Sequence, residues 1–278
     1  MIQVINPLKR KKTMKKYIFM AVAGMLALSS CSNDENEPIA QKVPQQMTFT
    51  AGFGDGATTR ASLSGYSVTF DAPDYISIFS ANNSNVQFTT TAGGASATFS
   101  GTATAGDPMY YAVYPYKNSY TFSAGVVSGV VIPYDQTAAA YSVCGWDPNA
   151  AIAYATTTGS SLQFHNACAL LKVTNNTGEG ADIMISKSSS GEGFTGTFDL
   201  DTSTGVLTCT SHFSNIDVYG VPNSQTIYIA VAPGTYEDFR ASAMMNPSGD
   251  LKRKEKSSVT FVKGKIYDLG NVSDWDGH

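Results

Sequence analysis

Beyond residue 45, apolar and polar residues alternate with a period of two in short runs separated by Gly, Pro, Asn and Asp. Residues 47–51 (Met-Thr-Phe-Thr-Ala), 75–79 (Tyr-Ile-Ser-Ile-Phe) and 182–185 (Asp-Ile-Met-Ile) are examples. This is the signature of strands with one wet face. Further runs predict strands at 67–70, 86–89, 97–100, 109–114, 126–132, 162–164, 169–173, 196–200, 206–208, 226–231, 239–243, 258–261 and 266–269. Helix-period patterns are nearly absent. Turn residues recur at about the 8–12-residue spacing of all-β sandwiches. The expected class is therefore all-β. About 230 residues of short strands exceed one sandwich of roughly 100 residues, so two tandem antiparallel β-sandwiches are expected. The small-residue stretch 150–161 is the expected seam, giving an N-terminal domain over 46–158 and a C-terminal domain over 159–278.

The start of the chain breaks this pattern. Residues 1–30 hold six basic residues (Lys9, Arg10, Lys11, Lys12, Lys15, Lys16) and no acid. An apolar run of twelve residues, 17–28, follows Lys16. A bilayer span needs roughly 20 residues, so a basic start and a short apolar core predict a secretory signal peptide over 1–30. Met14 is an alternative true start, because Met14-Lys15-Lys16 already supplies the basic region. Leu28-Ser29-Ser30-Cys31 resembles a bacterial lipobox, which implies a lipidated Cys31 held in the outer membrane. Residues 31–45 then form a polar, acidic tether with nothing to bury. An acidic stretch behind such a cysteine resembles a surface-export signal, so the expected location is the cell exterior.

Charge is scarce, at 14% of residues beside 42% hydrophobic. Soluble domains average about 25% charged, so Thr and Ser must fill the wet strand faces, a role that suits them. The formal charge of −4 hides an asymmetry. Beyond residue 30 the chain has 12 basic and 22 acidic residues, and only four Arg occur overall. Nucleic acid is excluded as a partner, because phosphate contacts need clustered Lys and Arg.

Candidate chemistry is weak throughout. Gly52-Phe53-Gly54-Asp55-Gly56-Ala57 matches a dinucleotide fingerprint in letters, but Thr58-Thr59-Arg60-Ala61-Ser62 does not start the helix the fingerprint requires. Asp199 to Gly205 offers alternating oxygens without the central Gly and closing Glu of a calcium loop, so a hairpin turn is expected. His165, His212 and His278 have no zinc spacing. Cys144, Cys168 and Cys209 cannot all pair. Cys168, within Ala-Cys-Ala-Leu-Leu, reads as a buried small hydrophobe, and a Cys144–Cys209 bridge stays open. Lys252-Arg253-Lys254-Glu255-Lys256 reads as a solvated hairpin tip. No catalytic residue, metal site or cofactor is expected, and the chain is not read as an enzyme.

Several stretches taken together resemble the fimbrillin family, the lipoprotein-derived pilus subunits of anaerobic Gram-negative bacteria. They are Phe49-Thr50-Ala51 leading to Thr59-Arg60, Phe70-Asp71-Ala72-Pro73-Asp74-Tyr75-Ile76, Phe99-Ser100-Gly101, Tyr110-Tyr111-Ala112-Val113-Tyr114-Pro115-Tyr116, Ile132-Pro133-Tyr134, Leu162-Gln163-Phe164-His165-Asn166, Ile229-Ala230-Val231-Ala232-Pro233-Gly234, and Lys263-Gly264-Lys265-Ile266-Tyr267. At two positions where the family usually has Trp and Gly, this chain has Phe70 and Pro73. The resemblance implies a pair of transthyretin-like sandwiches without catalysis, and a place in the fimbrium at the cell surface. It also implies partners: other pilus subunits joined by donor-strand contacts, and a host glycan or protein. In family members that polymerise, an arginine-specific protease removes the first strand and another subunit's strand fills the groove. On this sequence the first strand is 47–51 and the expected cut lies between Arg60 and Ala61. The segment after the last strand, 270–278, is short for a donor, though it carries Trp275. A second reading is a surface lipoprotein that binds glycan without assembling, using Tyr116, Tyr120, Tyr134 or Tyr141 as a stacking platform.

Overall fold

The computed structural model of the chain describes residues 42–53, 69–137, 146–187 and 193–277. Strands dominate them, as the alternation predicts; the helical element among them is a 3-10 turn at Val272–Asp274. One sheet closes on itself. In spatial order it comprises β1 (Pro44–Phe53), β4 (Ser96–Thr104), β3 (Asn83–Thr90), β2 (Tyr75–Ser80), β5 (Tyr110–Tyr114), β8 (Ala153–Thr157) and β9 (Ser161–Asn166). The neighbours run antiparallel except β1 and β9, which close the barrel in parallel. Its interior holds Phe49, Ile76, Ile78, Phe88, Phe99, Tyr110, Ala112, Leu162 and Phe164. Closure leaves this sheet without free edges.

The alternate residues of the same strands are also buried. Phe79 and Val113 point out of the barrel into a second core with Val127, Val130, Ile132, Phe198, Leu200 and Ala230. This core is covered by an antiparallel sheet in the order β13 (Leu207–Phe213), β12 (Thr195–Asp201), β7 (Val126–Ile132), β6 (Thr121–Ser123). Burial on both faces turns Ile76 to Ser80 into an unbroken buried run.

The remaining strands make a sandwich. One sheet is β15 (Gln225–Val231), β10 (Ala169–Asn175) and β18 (Ile266–Asn271), the last pair parallel. The other is β14 (Asn215–Val221), β11 (Gly180–Lys187), β16 (Gly234–Asn246), β17 (Leu251–Phe261) and β19 (Asp276–Gly277). Leu171, Val173, Ile227 and Ile229 from the first meet Ile183, Ile185, Ile216, Val218, Ala241 and Ala243 from the second.

The seam expected at residue 158 falls between β8 and β9, which pair at Ala153↔Asn166 and Tyr154↔His165 within the barrel. The second sheet takes β7 from one side of that point and β12 from the other. Alternation reports which face of a strand is buried; it carries no information about which strand lies beside it. Lys252 to Lys256, expected at a hairpin tip, instead form the first half of β17, and the tip of that hairpin lies between Asn246 and Asp250. β19 pairs with Lys252 and Arg253, and from Lys254 onward β17 borders the sheet, where long aliphatic stems can lie along the strand. Lys254 Nζ donates to the Leu269 carbonyl at 2.9 Å, and Arg240 pairs with Glu255 at 2.5 Å. Charge on an exposed edge opposes unwanted pairing. The edge of β15 is covered differently: the buried Gln136 side chain donates to the Ala230 carbonyl (2.7 Å) and accepts from the Ala230 N–H (2.9 Å), as a neighbouring peptide would.

Candidate functional site

The site follows from how β1 is held. Its sequence alternates, so one face carries Met47, Phe49, Ala51 and Phe53. Phe49 and Ala51 are fully buried, and Met47 and Phe53 pack against the same core while partly exposed. Phe49 lies edge-on to Phe88 and Tyr110, at centroid distances of 5.4 and 5.3 Å. Phe53 stacks on Phe70 at 5.1 Å. Antiparallel pairing with β4 runs the whole strand length, from Pro44↔Thr104 to Gly52↔Ser96. Pairing with β9 spans four positions, Thr50↔Ser161 to Phe53↔Phe164. Parallel ladders are the less stable kind per residue, so the short β1–β9 contact is the weak side of the closure. With β1 absent, β4 and β9 would border an apolar slot with unpaired N–H and C=O groups along both walls. Such a slot is chemically suited to accept an extended segment.

The N-terminal end of β1 is tied by charge. Lys42 Nζ donates to Asp107 Oδ1 and to the Gly106 carbonyl, both at 2.9 Å. The Asp107 side chain has no exposed surface, whereas that of Lys42 is nearly half exposed. Ser80 Oγ (2.5 Å), the Asn82 N–H (3.1 Å) and Asn82 Nδ2 (2.5 Å) also donate to Asp107. Burial opposes the charge on Asp107, but the donors from Ser80, Lys42 and Asn82 outweigh it and hold the carboxyl well below the usual range. Asn83 locks the same corner to β4, donating to the Thr104 carbonyl (2.8 Å) and accepting its N–H (2.7 Å). The sequence reading missed this cluster. Its signal, the Ser-Ala-Asn-Asn turn after a buried strand, is too common to stand out.

The other expected residues are scattered. Cys31, Arg60 and Ala61 lie outside the described residues, as do Cys144, Tyr141 and His278. His165 is exposed beside Tyr154, with ring centroids 5.8 Å apart. Cys168 is buried, donating to the Ala150 carbonyl at 3.6 Å; burial pushes its thiol up to about 12. The 201–205 segment is a turn: Asp201 accepts from the N–H and Oγ of Ser203 and the N–H of Thr204. Trp275 is buried in the sandwich core and donates to the Leu269 carbonyl at 3.0 Å. The tyrosine platform does not form as expected. Tyr120 is buried in the second core and Tyr116 is half-buried, so only Tyr134 of the described three is exposed. Tyr134 packs on exposed Phe213 at 5.1 Å, and exposed Tyr219 lies in the field of Asp217, Asp135 and Asp182, which raises its hydroxyl pKa. Among the described residues, no group of three or more His, Cys, Asp and Glu could hold a metal, and no helix is long and apolar enough to cross a membrane.

No family model matches the chain, and no curated protein matches it by sequence. Solved structures do. A candidate cell adhesion protein from Bacteroides uniformis superposes with a TM-score of 0.53 at 16% identity, over 84% of this chain and 94% of that one. The chain has that protein's fold. A second candidate cell adhesion protein, from Bacteroides ovatus, gives 0.47 at 13% identity, over 72% of this chain and 82% of that one. A fimbrial protein from the same species gives 0.40 at 13% identity, over 81% of this chain and 47% of that one. The fold shared with the Bacteroides uniformis protein agrees with the all-β class read from the sequence.

Proposed function

We propose that the chain is a fimbrillin-like pilus subunit or cell-surface adhesin lipoprotein that assembles by strand exchange. In this reading Cys31 carries lipid in the outer membrane, cleavage between Arg60 and Ala61 frees the first strand, and a strand from another subunit takes its place. The observation that carries it is the setting of β1: a strand with four core-facing residues, paired along its length on one side and over four positions on the other. Strand replacement restores both the ladder and the buried face, so the new contact is as durable as the fold itself. A fold shared with a candidate cell adhesion protein supports a surface role without catalysis.

Treatment of the purified full chain with an arginine-specific protease tests the first step. A stable fragment beginning at Ala61 is expected; resistance of the Arg60–Ala61 bond counts against processing. Electron microscopy of cells expressing the protein, together with the N-terminal sequence of the mature form, tests assembly and Cys31 lipidation. The exposed Tyr134, Phe213 and Tyr219 rings favour a second reading, a non-assembling lipoprotein that stacks glycan on them. Under this reading, truncating all three rings abolishes glycan binding; unchanged binding, or fimbriae on the expressing cells, counts against it.

A further inference from the structure

The corner around Asp107 sets a requirement on the strand that fills the slot, and this inference rests on the strand-exchange reading. The geometry points to a charge rule: the strand accepted between β4 and β9 comes from a second polypeptide and carries Lys or Arg five residues before its first core-facing residue. Four observations support it. First, Lys42 stands five residues before Met47, and its ammonium reaches two acceptors on the β4–β5 connection, Asp107 and the Gly106 carbonyl. Second, those acceptors belong to the barrel and not to β1, so they stay behind when β1 leaves. Third, Asp107 keeps its donors from Ser80 and Asn82 without β1, so an ionised carboxylate remains at the mouth of the slot. An anion in that position attracts a cation and repels an acid, and a charge-assisted hydrogen bond to it is among the stronger kinds. Fourth, Asn83 holds the corner on β4 through the Thr104 backbone, so its place does not depend on the strand that occupies the slot.

The register then fixes the rest. Core-facing positions fall five, seven, nine and eleven residues after the cation, where β1 has Met47, Phe49, Ala51 and Phe53. The ninth must be small, because Ala51 is fully buried opposite Ala97. The chain's own C-terminal segment does not meet the rule. Lys263 puts Asp268 and Gly270 at the first two core positions, and Lys265 puts Gly270 and Val272 there. Trp275 and Val272 are in any case buried in their own sandwich.

The test uses the full chain, cut within residues 54–68 by an arginine-specific protease or at an inserted protease site. It is mixed with labelled twelve-residue peptides: the native sequence of residues 42–53, and variants with Met or Glu in place of its first Lys. Uptake is read by fluorescence anisotropy and gel filtration. The half-exposed Lys42 moderates the effect, so the Met peptide should bind about three- to tenfold more weakly than the native one, with the Glu peptide weaker still. The preference should shrink in Asp107→Asn. Equal uptake of all three peptides overturns the charge rule and leaves strand exchange standing. Failure of every peptide to enter, with β1 retained, overturns strand exchange and the rule with it.

Discussion

Replacing Phe49 with Ala separates β1 as a releasable element from β1 as an ordinary part of the barrel. Phe49 is 1% exposed and lies edge-on to Phe88 and Tyr110. Truncating a fully buried Phe costs about 3–5 kcal/mol, from lost transfer free energy and the cavity left behind. The two ring contacts, at about 0.5–1.5 kcal/mol each, place the cost toward the upper half of that range. Thr48→Ala on the exposed face of the same strand should cost under about 1 kcal/mol. For a folded unit of this size, about 2–4 °C is lost per kcal/mol, so Phe49→Ala should lower Tm by roughly 8–20 °C. Denaturation gives the total and hydrogen exchange gives its location. Protection should fall first on β1 and on the amides of β4 and β9 that pair with it, while β10, β15 and β18 stay protected. A loss no larger than that of Thr48→Ala, or one spread evenly over all four sheets, would refute the idea that β1 opens by itself.

Other outcomes follow from the same geometry. Gln136→Leu removes both partners of the buried Ala230 peptide, so each orphaned group should cost about 1–3 kcal/mol in denaturant unfolding; an unchanged midpoint would show that the β15 edge is satisfied some other way. The folded-state pKa of Asp107 is depressed, so its stabilisation is complete above the ordinary carboxylate range and is lost as pH falls through the folded value. The stability gap between the native chain and Asp107→Asn should therefore narrow on titration from about pH 5 to about pH 2. A pH-independent gap contradicts the ion pairing. Cys168, with its thiol raised to about 12, should resist alkylation in the folded chain at pH 8 and react on unfolding, as followed by peptide mass spectrometry.

The sequence shows the strand faces well and the strand neighbours poorly. The run 182–185 places Ile183 and Ile185 inward, and both are buried in β11. Tyr75 to Phe79 also alternates by sequence, yet from Ile76 onward both faces are buried, because a second sheet packs on the outside of the barrel. Lys252 to Lys256 read as a hairpin tip by charge but form part of β17, paired with β16 throughout and with β19 at Lys252 and Arg253, because long stems let charged side chains lie along a sheet. The Asp107 corner draws Lys42, Ser80, Asn82 and Asp107 from positions up to 65 residues apart, a distance at which no local pattern operates.

By itself, then, the sequence determined the all-β class, many of the strands though not β6, β8 or β14, the inward residues of β1 and the resemblance that suggests strand exchange. These are local properties, written in a period of two and in turn residues. Tertiary structure decided that β1 closes a barrel between β4 and β9, that β7 crosses to pair with β12, and that Lys42, just before β1, meets a buried carboxylate at Asp107. Those facts depend on which edges meet. Edge pairing uses backbone N–H and C=O groups that every residue except proline supplies in full, so the choice of neighbour is left to the packing of the whole chain.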